Sequence, residues 1–240
     1  MNKSELITFL VVAAGQGRRL GGEIPKQYRL LAGYPVLWHT LKRLHDHPLV
    51  ENIVPIIAPD GRSLWDQVMG PLVAPLVKVS QPVTGGKERQ NSVANGLSSL
   101  TLKKDQWVAI HDGARPVLRR GMLDRLFLAR EKGDALLTAQ LASDTIKKVG
   151  LDGVVRATLD RREIWLAQTP QLFRYELIRR AHRSAAEAGW MGTDDVSLVE
   201  WLGEPVRVVE GDGANIKITQ ASDLLLAEWL LTMDACEGQR

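Results

Sequence analysis

Cysteine is nearly absent from this chain of 240 residues: Cys236 stands alone. A single thiol excludes an intramolecular disulfide and any metal centre built on cysteine pairs. Histidine is also scarce, and His39, His45, His47, His111 and His182 show no zinc-ligand spacing. His45 and His47, two apart, are expected at a surface helix end. Aromatic residues make up 5% of the chain and the basic ones are dispersed, which argues against a nucleic-acid surface. Repeats and low-complexity tracts are missing. The apolar run from Leu6 to Ala14 is short and gives way at once to glycines and arginines. It reads as a buried strand, not a signal peptide or membrane span, so a cytoplasmic location is expected.

What remains is ordinary for a globular protein: 45% apolar, 25% charged, net charge +3. The slight excess of positive charge suits acidic ligands, but a normal solvated surface has it too. The length fits one α/β domain over residues 1–240.

Apolar runs alternate with helical patterns. Strands are expected at 6–12, 52–58, 77–80, 107–110, 135–139 and 206–209. Helices are expected at 36–45, 61–69, 88–100, 120–132, 174–188, 194–202 and 220–233. Pro55 speaks against a central place for the second strand. Gly133, Gly189 and Gly203 are placed to close helices, and Thr193, Asp194 and Thr219 to open them. The alternation predicts a doubly wound, mostly parallel sheet of Rossmann-like type, with ligands beyond the carboxyl ends of its strands. Residues 144–171 break the pattern. Two charged strands around Gly150-Leu151-Asp152-Gly153 predict an inserted β-hairpin arm, about 142–168, suited to clasping a second subunit or to standing as a solvated flap.

The chemistry-bearing residues follow the strands. Ala13-Ala14-Gly15-Gln16-Gly17-Arg18-Arg19, then Pro25-Lys26-Gln27, join backbone N–H groups free to approach phosphate with a forked and a compact cation. A Walker loop would need Gly-Lys-Ser/Thr, and a dinucleotide fingerprint a third glycine where Leu20 stands. A nucleotidyltransferase loop, G-x-G-x-R with a downstream Pro-Lys, fits. Gly85-Gly86-Lys87-Glu88-Arg89-Gln90-Asn91-Ser92 permits close approach of a flat base, with Ser92 able to bond its edge; a plain strand–helix turn explains it as well. In His111-Asp112-Gly113-Ala114-Arg115-Pro116, Asp112 suits a ribose hydroxyl or a hydrated Mg²⁺, or a structural pair with Arg115. Asp144-Thr145, Asp160-Arg161 and Thr169-Pro170-Gln171 surround the hairpin, with Thr145 and Arg161 able to hold a phosphate. Thr193-Asp194-Asp195 and Asn215-Ile216-Lys217-Ile218-Thr219 complete the set, with Lys217 just before the last helix.

In order and spacing, these motifs closely resemble the 2-C-methyl-D-erythritol 4-phosphate cytidylyltransferase (IspD) family of the non-mevalonate isoprenoid pathway, from Val11 to about Glu228. The resemblance implies a transferase that uses CTP, a divalent cation such as Mg²⁺, and a sugar-alcohol phosphate. It implies a homodimer whose arms reach into the partner's site. Arg19 and Lys26 would stabilise the transition state, with Arg161 and Lys217 positioning the substrate. Ala13, Ala14, Gly15, Gly17, Gly86, Arg89, Ser92, Asp112 and Gly113 would bind CTP. Thr145, Arg161, Thr169, Thr193 and Lys217 would meet the substrate phosphate, and Asp112 would lie near the metal. Lys87, Gly113 and Asp195 depart from the commoner residues. The relative that uses ribitol 5-phosphate shares most of the nucleotide-site motifs.

The other classes fare worse. A nicotinamide-dependent oxidoreductase needs a ribose-binding acid roughly 20 residues past the glycine loop, and Asp60 lies 45 beyond Gly15. There is no Tyr-x-x-x-Lys pair either. A non-catalytic CTP-binding protein has no need of Arg19, Lys26, Arg161 and Lys217 together.

Overall fold

The computed structural model describes residues 6–15 and 24–237, with side chains through 234. Gly17, Arg19 and the Cys236 side chain therefore lie outside the described residues.

A seven-stranded sheet organises the chain. Its strands are β1 (Ile7–Ala13), β4 (Val50–Ile57), β5 (Val83–Thr84), β6 (Trp107–Asp112), β7 (Ala135–Leu141), β10 (Trp165–Arg174) and β11 (Arg207–Glu210). They lie in the order β11-β7-β10-β6-β1-β4-β5. All run parallel except β10, which is antiparallel to both β6 and β7. The small ribbon β2 (Leu30–Leu31) and β3 (Tyr34–Pro35) follows the first loop, and β8 (Lys147–Val149) with β9 (Val155–Thr158) makes the arm.

Side chains of β1 alternate between two cores, as the period of a strand requires. Phe9 and Val11 face α1 (Val36–Asp46) and α5 (Arg120–Leu128), through Leu37, Leu41, Leu126 and Phe127. Leu10 faces the opposite layer, α4 (Arg89–Ser98), α6 (Tyr175–Glu187) and α7 (Asp195–Trp201), through Val93, Ile178 and Val199. Gly96 lets α4 settle against the sheet: a Cβ there would lie 2.6 Å from Ile56 Cδ1. A helical segment of α2 (Arg62–Leu64), a π-turn (Trp65–Met69) and α3 (Gly70–Val73) covers the edge, and α8 (Ala221–Glu237) closes a third cluster with Val117 and Ile218.

The sheet class and most elements agree with the sequence-based expectation. Of the residues expected at a surface helix end, His47 is instead buried against Asp124, and three details of the elements differ. The expected strand at 77–80 is only a bridge, Ile53 to Val79, and the edge strand is β5. Ile53 and Ile57 bond outward, so Pro55 faces the gap between that bridge and β5, where its missing N–H costs little. Strand β10 is the second difference, an unexpected antiparallel strand in the middle of the sheet. Lastly, α8 is opened by the Asp223 carboxylate, which accepts from the N–H groups of Thr219 and Gln220, rather than by the Thr219 side chain.

Candidate active site

A cleft of about 180 Å³ opens at the carboxyl ends of β1 and β6. Ala13, Ala14 and Gly15 line it from β1, Gly86 to Arg89 and Ser92 from the α4 entry, Asp112 from β6, and Lys26 and Lys217 from flanking loops. Chain connectivity explains the meeting. Parallel strands deliver their following loops to one edge. The β5–α4 loop sits against the β1 loop because Gly85 carries no Cβ; one would fall 2.8 Å from the Ala14 Cβ.

Asp112 is the electrostatic centre. Lys217 Nζ lies 2.7 Å and Arg89 Nε 3.4 Å from its carboxylate, with Arg115 Nε at 3.8 Å. Burial on its own would raise the Asp112 carboxyl; Arg89 and Lys217 overcome that and hold it well below the usual carboxylate range. Arg89 also donates to Asp195, at 2.6 Å. Although burial alone would lower it, the two carboxylates raise its pKa, so it stays a fixed cation. Asp195 in turn meets His182 Nε2 at 3.2 Å. Lys26 reaches across the cleft to the Ile218 carbonyl, 3.0 Å away, and Gln27 ties the loop to the Ala13 carbonyl. Ile218 bonds back to Ala114, which fixes Lys217 beside β6.

A second layer holds these groups. The Thr169 hydroxyl accepts from the Asp112 N–H and contacts His111 Nδ1, each at 3.0 Å. Asn215 donates to the Thr169 carbonyl, and Gln171 joins β10 to Asp194 and the start of α7.

The other residues singled out in the sequence lie in different places. Thr169 is buried and bonded to Asp112 and His111, so it supports the cleft from behind and does not face a phosphate. Gly113 is buried against Leu37 and is not among the lining residues; its smallness is a packing requirement. The Ser92 hydroxyl is taken up by the loop, accepting from Gly86 N–H and donating to the Glu88 carbonyl. The Arg115–Asp112 pairing is present but long, and Arg115 donates chiefly to the Asn215 carbonyl. Thr193 is exposed outside the cleft. Thr145 and Arg161 sit at the base of the arm, exposed, with Arg161 donating to the Ser143 carbonyl. They do not line this chain's cleft. The sequence reading missed the roles of His182, Asp195, Gln168 and Gln171, all buried polar groups.

Comparison with known proteins gives the family and the fold type. The family model described as IspD, 2-C-methyl-D-erythritol 4-phosphate cytidylyltransferase, matches residues 7–233. A protein of that name from Syntrophus aciditrophicus is 45% identical, over 94% of this chain and 95% of its own. Another, from Geotalea uraniireducens, is 48% identical over 94% of this chain and 96% of its own. Among solved structures, the Francisella tularensis 2-C-methyl-D-erythritol 4-phosphate cytidylyltransferase is 34% identical. It superposes with a TM-score of 0.79 over 94% of this chain and 99% of that one. The family match and the relatives' identity over nearly the whole chain agree, and the chain belongs to the 2-C-methyl-D-erythritol 4-phosphate cytidylyltransferase family.

Proposed function

We propose that this protein transfers the cytidylyl group of CTP to the phosphate of 2-C-methyl-D-erythritol 4-phosphate and releases pyrophosphate. The observation that carries the reading is the convergence of Lys26, Lys217 and Arg89 on one glycine-lined cleft beside Asp112. A phosphate monoester is already ionised near neutral pH, so its oxygen needs no strong base to attack the α-phosphorus. Attack forms the new P–O bond, and the bond to the β-phosphate bridging oxygen breaks in line. Negative charge accumulates on the transferring and leaving phosphates, where Lys26 and, from the motif, Arg19 would meet it. Arg89 and Lys217, anchored by carboxylates, form a cationic wall that is set before substrate arrives.

Among the described residues, no cluster of three or more His, Cys, Asp or Glu side chains could hold a metal by itself. The cleft instead offers Asp112, and a single carboxylate plus substrate phosphates is a common way to bind Mg²⁺. Asp112 would hold the ion together with the CTP phosphates, and the ion would supply further neutralisation of the triphosphate.

We propose further that the protein works as a cytoplasmic homodimer, each arm supplying Thr145 and Arg161 to the other subunit's cleft. Two observations support this. Those residues do not line their own chain's cleft, and the arm carries exposed apolar side chains, Val149, Leu151, Val154, Val155 and Leu159. Among the described residues, no helix is long and apolar enough to cross a membrane.

The test is pyrophosphate release from the purified protein with CTP and Mg²⁺, offering methylerythritol 4-phosphate or ribitol 5-phosphate. Release with the first alone is expected. Release with ribitol phosphate alone would overturn the substrate and keep the chemistry. Silence with both, from protein that binds CTP, would overturn the reaction.

A further inference from the structure

Asp195 is almost wholly buried, and each of its oxygens has one partner: Oδ2 takes the Arg89 guanidinium, and Oδ1 lies 3.2 Å from His182 Nε2. His182 comes from α6, a helix that contributes nothing to the lining of the cleft. Its ring is buried as well. The Asp195 carboxylate can only accept, so Nε2 carries a proton and donates it to Asp195. A continuous ladder results: His182, Asp195, Arg89, Asp112, Lys217.

We infer that His182 is a positioning residue for nucleotide binding, fixing the Asp195 carboxylate that aims Arg89 into the cleft. The inference rests on the cytidylyltransferase reading above. Arg89 is only partly buried, with 29% of its side chain exposed, and two carboxylates on different elements hold it. Asp112 is shared with Lys217 and Arg115, so Asp195 is the partner that singles out one position for the Arg89 fork. Without the His182 donor, Oδ1 of Asp195 is left buried and unsatisfied, and the carboxylate gains a reason to turn away from Arg89. Second-layer partners of this kind set the orientation of charged ligating groups in many sites.

The test compares wild type, His182→Phe and His182→Gln by CTP titration calorimetry, by steady-state kinetics and by thermal melting. Phe keeps a planar ring, somewhat larger than the imidazole, and removes the donor; the Gln Nε2 restores a donor of similar reach. For His182→Phe, CTP affinity is expected to fall and KM for CTP to rise, each on the order of tenfold. The expected change in kcat is smaller, and His182→Gln should recover most of the loss. Unchanged CTP affinity in a folded His182→Phe protein would overturn the inference, as would equal loss in both variants with matched melting curves. If His182→Phe does not fold, His182→Gln decides alone, since wild-type-like CTP affinity there is required. Failure of wild type to bind CTP or turn over would instead strike the functional reading.

Discussion

The cleft and the arm are both rich in charge, and they use it in opposite ways. In the cleft, Asp112 and Asp195 are buried, Arg89 is partly buried between them, and the three are bonded across long sequence distances. In the arm, pairs such as Arg156–Asp152 and Arg162–Asp160 are local and exposed. Water screens exposed pairs, so they contribute little to holding a shape. Buried pairs fix one geometry, because breaking one leaves an uncompensated charge. The apolar side chains show the reverse. Behind the cleft they fill the two cores, whereas on the arm Leu151, Val154 and Val155 face outward. One region has its partners within the chain. The other carries groups whose proposed partners belong to a second copy.

Removing a charge from the cleft should break that region most severely. Lys26→Ala is expected to lower kcat by about 10²–10³, the scale on which one transition-state donor is lost, while CTP still binds and the fold is kept. Steady-state rates at saturating substrates check this, and wild-type-like turnover would remove Lys26 from catalysis. Lys217→Ala should weaken substrate use as well and, by freeing Asp112 from its nearest cation, alter the binding of CTP.

The buried state of the cleft can be read through His111. Burial pushes its imidazole down to about 4, with nearby Asp112 pulling upward and Arg115 downward. The hydrogen bonds agree. The Arg115 carbonyl can only accept, so Nε2 carries a proton; in the uncharged ring Nδ1 then accepts from the Thr169 hydroxyl, whose oxygen also takes the Asp112 N–H. The unfolded chain takes up a proton near 6.5 that the folded one refuses until about 4. Stability is therefore full above pH 6.5 and falls as pH drops to about 4, by about 3 kcal/mol from this group. The Asp112 carboxyl is also held low, but its loss comes below the ordinary 3.8, outside that window. Urea unfolding of wild type and His111→Gln across this range should give a shallower pH dependence for the variant. Parallel curves would mean that His111 is not buried in its uncharged form.

The same contrast explains what the sequence discloses. Parallel strands and covering helices announce themselves through apolar periodicity, so β1, α1, α4 and β6 are legible in the order of residues alone. Motifs that sit directly on loops after strands, such as Ala13 to Gly15, Gly86 to Arg89 and Asp112, could be assigned to one edge. Strand β10 stayed hidden because its buried centre is Gln168-Thr169-Pro170-Gln171, polar residues whose partners lie on β6, α7 and the 212–215 loop. The Arg89–Asp195 bond joins residues 106 positions apart, and nothing local in either segment marks it. Similarly, Val77 to Ser80 has strand-like composition but only one bridge to β4, since the chain turns away before a ladder can form. Burial of polar groups is decided by tertiary packing, and periodicity does not report it.

Joining the two regions gives the smallest effect and the sharpest discrimination. Arg161→Ala alters only an exposed arm residue, so it should fold and assemble as wild type does while losing activity. Lys26→Ala should also assemble. If the proposed arm exchange is right, a mixed dimer of these two variants has one intact cleft, carrying Lys26 from one chain and Arg161 from the other. Random mixing makes half of the dimers mixed, so co-expressed variants should recover about a quarter of wild-type activity. If each arm served its own chain, no cleft in any dimer would be intact and the mixture would stay at the level of its inactive parents. Leu151→Asp, at the outermost apolar position of the arm, supplies the control. It should weaken assembly, measured by light scattering on a sizing column, and abolish the recovery without altering the isolated chain's helical content.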